Sequence, residues 1–303
     1  MSAVMTRTSS EMVTISPVVP DTTKPAVNEC TQALADFLQA VGESVADLNT
    51  IAVGLAAIGQ DHQKPDGLNI SWNPKDPVIA ARKARKAAVH AVMVVVTEAL
   101  GQYVSAVTNL PRFDALTKAW NDRKPKASAA DRISELAAQL FTGKEARGAI
   151  CYDTRYRTCC VMLMIHWRNR HVHTDSAAKL THHEKQVVRA NEDCIAKEYA
   201  GLSVDRLLAD FEVNRPTLKD ATTLIAMTIR EVRAMDRALY DCRDLADVQA
   251  WLEHYKLTER IEKIERETAP AKQRESIVRM LQTHAAHLVD WYKKFVPDPR
   301  AAV

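Results

Sequence analysis

Apolar residues recur at threes and fours along most of this chain, the spacing that gathers them on one face of a helix. The first such pattern predicts a helix from about Val27 to Ile58, with Leu34, Phe37, Leu38 and Val41 on one side. Pro65, Gly67, Pro74 and Pro77 then rule out a continuing helix between Gln63 and Pro77, where Leu68–Trp72 fits a short extended piece. A second helix is predicted from about Val78 to Val107, basic in its first turns and apolar nearly all round in its middle, as in the centre of a bundle. Asn109-Leu110-Pro111 ends it. After a charged loop at Asp122–Lys126, Ser128 caps a helix reaching about Phe141, with Asp131 at the third position and Gly143 as the stop.

Helical spacing resumes from roughly Lys144 to Trp167 and again over Thr181–Ala200, stopped at Gly201. Ser203 caps a short helix to about Phe211, and Thr217 opens one carrying Ile225, Ile229, Val232 and Leu239. Thr258–Glu267 reads as a charged helix. Ile277, Met280, Leu281, His284, Leu288, Trp291 and Phe295 then form a final amphipathic stripe. Only 8 glycines in 303 residues agree with helices over strands. No fixed-period repeat and no glycine-rich phosphate loop occurs. The fold class is all-α, a helical bundle. Its expected organisation is a mobile tail over residues 1–25, an N-terminal helical segment over 26–62, a central helical domain over 78–240, and C-terminal helices over 241–303 packing on the bundle.

Composition narrows the function classes. A net charge of +3 is too small to mark a nucleic-acid binder by itself, so any pull on RNA must come from local clustering. The 6 cysteines include no CxxC pair, which disfavours a zinc ribbon; vicinal Cys159 and Cys160 sit in an apolar run and read as buried thiols in a reducing compartment. Residues 1–25 lack the apolar core of a secretory signal, and runs such as Val92–Val96 fall short of a membrane span. The expectation is a cytoplasmic protein with no membrane partner.

Candidate chemistry concentrates in Arg168-Asn169-Arg170-His171-Val172-His173. Arg168 is a permanent cation whose planar donor fork matches phosphate oxygens. His173 is suited to moving a proton near neutral pH. RNA carries its own nucleophile, the 2′-hydroxyl. Cleavage therefore requires that hydroxyl deprotonated, the departing 5′-oxygen protonated, and the charged phosphorane stabilised. His173 fits the proton transfers, Arg168 the charge, and Asn169 the orientation of either the phosphate or the histidine. Arg155, Arg157 and Arg170 lie close in sequence and extend a candidate RNA-binding surface; the alternative for them is a solvated helix face. Trp167 is placed to stack on a base or, more commonly for such a position, to fill the core. Glu98 is either a polar partner of Arg168 or simply exposed.

These residues resemble the signature of the HEPN superfamily: an arginine, usually followed by a polar residue, with four to six residues intervening before a histidine. Here four residues intervene between Arg168 and His173, and Asn169 takes the polar place. The resemblance covers roughly Val78 to Leu239 and, outside the motif, rests on helix pattern. It implies a metal-independent endoribonuclease acting by 2′-OH transesterification without a cofactor, with motifs paired across a homodimer. It also implies roles in host defence, toxin action or RNA processing, with an activating or inhibiting protein partner. Arg168 and His173 lie about 140° apart on an ideal helix. They converge only if the helix begins within the motif or a second subunit completes the site.

Two other classes remain open. Five of the 10 histidines fall between His166 and His183, which raises a metal site, yet neither His171/His173 nor His182/His183 is spaced to chelate from a helix. A non-catalytic protein-interaction protein would use the last amphipathic stripe and the charged helix Thr258–Glu267 to dock a partner or form an oligomer, whereas a non-catalytic nucleic-acid-binding protein would bind through Arg168.

Overall fold

The computed structural model describes residues 31–141, 154–173, 175–242 and 244–296. The tail over 1–25, the start of the first helix at Val27, the stop at Gly143 and the helix onset at Lys144 lie outside them. All regular structure among the described residues is helical. Helix α1 (Gln32–Ala56) is capped by Thr31, whose side chain accepts from the Leu34 N–H. Helix α2 (Pro77–Val107) starts on Asp76 with proline in its first turn, where a missing N–H costs nothing. The two run antiparallel, since Phe37 early in α1 meets Tyr103 late in α2 at 6.2 Å between ring centres. Between them, the expected extended piece at Leu68–Trp72 is irregular: Lys64 Nζ takes the Leu68 and Ile70 carbonyls at 2.9 and 3.3 Å.

After a 3-10 turn at Pro111–Phe113 come α3 (Asp114–Asp122), α4 (Ala129–Phe141), α5 (Thr154–Val172), α6 (His182–Ala190), α7 (Glu192–Glu198), α8 (Val204–Glu212) and α9 (Leu218–Leu239). Thr181 and Thr217 open α6 and α9 with reciprocal capping boxes through Glu184 and Asp220. The single helix expected over Thr181–Ala200 divides at Asn191, whose amide donates to the Val187 carbonyl at 2.8 Å and draws the backbone out of helical geometry.

Helix α5 is the axis of the bundle and packs on α2, α4, α6 and α9. From Tyr156 to Ile165 every residue is buried, and Trp167 is fully so. Burial pushes the Cys159 thiol up to about 12 and raises Cys160 as well, so both are protonated, inert core residues. Helix α2 is long and apolar enough by length and composition to cross a membrane, and 56% of that stretch is buried against its neighbours. The N-terminal segment is no separate unit: Leu34, Phe37, Val41 and Leu48 belong to the same core as α5.

The C-terminal helices have a core of their own. Helices α10 (Leu245–His254), α11 (Thr258–Glu267), α12 (Pro270–His284) and α13 (Val289–Phe295) enclose Val248, Trp251, Leu252, Ile277, Leu281 and Leu288. The stripe expected on one helix is split between α12 and α13 by a turn at Ala286–Leu288, with Ala285 outside helical geometry at φ −156° and ψ 58°. Arg112 joins the two cores, its Nη1 donating to the Leu239 carbonyl at 2.9 Å and the Asp241 carbonyl at 3.3 Å.

Asp236, fully buried on α9, holds the start of α1: it accepts from the Thr31 N–H at 3.1 Å and hydroxyl, and from the Tyr103 hydroxyl at 3.4 Å. Asp236→Ala is expected to lower unfolding free energy by about 1–3 kcal/mol in urea titrations. It should also sensitise α1 to proteolysis before the rest of the chain.

Candidate functional site

Helix α5 leaves the core within the motif. Trp167 packs edge-on against Phe211 at 5.5 Å and takes the core role open to it in the sequence. The next three residues, Arg168, Asn169 and Arg170, are half-buried, and His171, Val172 and His173 are exposed. The helix does not begin in the motif; it ends there, at Val172. The His173 N–H still donates to the Asn169 carbonyl at 2.8 Å, so helical register extends through the histidine. Arg168 and His173 therefore keep their separation of about 140° around the axis, and one chain does not turn both toward a single phosphate.

Asn169 serves the arginine, not the histidine. Its Oδ1 accepts from Arg168 Nη1 at 3.2 Å, while Arg168 Nε is buried with no hydrogen-bond partner. Ile165 lines a cleft opposite Leu100 and Val104 of α2, and His171 stacks on His90 of α2. Arg168 lies between them in sequence and roughly one turn from each, along the α2-facing side of α5.

The basic residues grouped by sequence do not share a surface. Arg157 is 7% exposed and pairs at 3.3 Å with Glu231, itself fully buried on α9; the expectation that it touches RNA is corrected by that burial. Arg170 is corrected similarly. Its guanidinium lies 3.9 Å above the Phe211 ring, and it donates at 2.8 Å to both the Ala178 and Phe211 carbonyls, clamping the segment after α5 to α8. Arg155 is exposed, but thirteen residues before Arg168 on one helix, which is about 20 Å away. Glu98 is exposed on α2.

What the sequence did not reveal is the contribution of α2. His90 is buried and stacks face to face on His171, ring centres 3.9 Å apart and 9° from parallel. Lys86 and Lys83, one and two turns before His90 on the same face, are exposed, as is Arg82. A histidine inside an apolar helix was the available signal, with nothing to say which distant segment it meets. Burial, then the neighbouring His171 and Lys86, pushes His90 down to about 4, so it is neutral at pH 7. Among the described residues no group of three or more metal-ligating side chains gathers.

No family model, no curated protein and no solved structure matches this chain.

The depressed His90 value makes a stability prediction. Between pH 6.5 and about 4 the unfolded chain binds a proton that the folded chain refuses, so stability is present above this window and lost as pH falls through it. The contribution is on the order of 3 kcal/mol. His287, in the C-terminal core, is also pushed down to about 4 by burial and acts over the same range. Denaturation at pH 7 and pH 4.5 should thus show a smaller acid loss for His90→Phe than for wild type, with the His287 share common to both.

Proposed function

We propose that this chain binds RNA at the C-terminal end of α5 and, as a homodimer, cleaves it by 2′-OH transesterification. Neither a metal ion nor an organic cofactor is part of this proposal. The observation that carries the reading is the emergence of Arg168, Asn169, His171 and His173 from the core at one helix end, beside the exposed Lys83 and Lys86 of α2. Arg168 meets the non-bridging phosphate oxygens, with Asn169 holding its guanidinium. His173 moves protons. Because these two groups diverge on one chain, the arginine of one copy works with the histidine of the other, so a dimer holds two such sites. The exposed lysines of α2 hold the flanking backbone. Roles in defence, toxin action or RNA processing follow from the HEPN resemblance alone.

The same divergence favours a second reading: a non-catalytic nucleic-acid-binding or regulatory protein. Cleavage of mixed single-stranded and structured RNAs in EDTA separates them. The nuclease reading expects 2′,3′-cyclic phosphate ends, with at least about 100-fold loss in folded His173→Ala and Arg168→Ala variants. Inactive variants of opposite type, mixed, should regain activity if each dimeric site draws on both chains. Intact RNA with binding that Arg168→Ala weakens selects the non-catalytic reading. Absence of any RNA binding overturns both RNA readings.

A further inference from the structure

We propose that a cleft between α2, α4 and the middle of α5 binds a small carboxylate bearing a branched apolar tail. The site is separate from the motif and independent of its reading. The cleft holds about 120 Å³. Leu100, Val104 and Ile165 supply apolar walls, while Gly101, Ala127 and Ala129 carry too little side chain to fill the space between them. An apolar protein cavity of ~150 Å³ accommodates a benzene ring. This one therefore suits a slightly smaller group, such as a branched chain of about four carbons.

Two polar groups line the same space, and their state selects the head group. Thr97 is buried and its hydroxyl donates to the Met93 carbonyl at 2.7 Å, leaving lone pairs but no proton for a ligand. Arg132 supplies donors. Its guanidinium carbon lies 5.5 Å from the centre of the Trp120 ring, and its Nη1 and Nη2 enter no hydrogen bond or ion pair among the described residues. No carboxylate among the described residues pairs with it. Glu135, one turn on, is engaged by Arg123 at 2.7 Å and by Trp120 Nε1 at 2.8 Å. Asp131 is engaged by the Ser128 N–H and hydroxyl at 2.9 and 2.8 Å. A guanidinium steadied on an aromatic face, with an unused donor beside an apolar cleft, matches a carboxylate joined to a short apolar tail.

The test uses the full chain and isovalerate as probe, with isoamyl alcohol and isoamylamine as the neutral and cationic counterparts, followed by calorimetry and by NMR of the Ile165 methyl groups. Saturable isovalerate binding is expected, with the alcohol about tenfold weaker and the amine silent. Gly101 is exposed and a Cβ there meets no atom within 4 Å, so Gly101→Val is sterically accommodated and adds bulk at the rim of the cleft. It should weaken isovalerate binding while leaving the fold, checked by circular dichroism, unchanged. Arg132→Gln should weaken the acid about tenfold and leave the alcohol as it was. Absence of saturable isovalerate binding to folded wild type overturns the proposal, as does undiminished binding to folded Gly101→Val. Equal affinity for acid and alcohol overturns the carboxylate assignment.

Discussion

An ion pair inside the bundle sets the position of everything along α5. Apolar packing alone leaves this helix poorly registered, because its residues from Tyr156 to Ile165 are buried on all sides and one rotation resembles another. Arg157 and Glu231 remove that freedom. Two charges taken out of water are tolerated only where they meet, and the Thr158 hydroxyl donates to the same carboxylate. Sliding α5 by a turn along α9 would leave Glu231 buried opposite an apolar side chain. The register so chosen decides which residues surface at the far end, and hence that Arg168 lies along α2 while His173 reaches solvent.

The clamp made by Arg170 completes this arrangement from the other side. Its contacts to Phe211 and Ala178 hold the chain that leaves the helix, so the exposed end is bounded by a fixed turn against α8. Arg157 and Arg170 are thus arginines whose work is internal. Planar, weakly hydrated guanidinium groups suit such half-dry positions better than lysine would. A basic run in a sequence is therefore a poor guide to a basic surface when the run lies on the central helix.

How much could be read in advance follows from how local each determinant is. Caps were legible because their partners sit three residues away: Ser128 with Asp131, Thr217 with Asp220. The stop at Gly201 was legible too, since it adopts φ 68°, which glycine alone reaches at no cost. Breaks within amphipathic runs were not. Asn191 and Ala285 interrupt patterns whose period continues across them, because period reports the buried face and is silent about backbone continuity. The second core was hidden for a similar reason, as Trp251 and Leu281 look alike in sequence whether they join the main bundle or only each other. At the candidate site, Arg168, Asn169 and His173 were legible as a motif. Their burial, and the meeting of His90 with His171 across 81 positions, is a property of tertiary packing.

The place of the motif on its helix also constrains what it does. Carbonyls at a helix C-terminus carry partial negative charge, which favours cations there and repels phosphate. Arg168 and Arg170 near the end of α5 satisfy that field first. An RNA phosphate approaches favourably only if positive charge exceeds what the dipole absorbs, and Arg170 is already held by carbonyl groups and faces Glu212 at 3.9 Å. The surplus must come from α2, whose Lys83 and Lys86 run along the face that carries His90. On the RNA reading proposed above, recognition at this end is a property of two helices, with α5 presenting Arg168 and His173 and α2 the field that draws a polyanion to them. Substitutions in the lysines should act on affinity and its salt dependence, and those at His173 on chemistry, a division that follows from the geometry of the two helices.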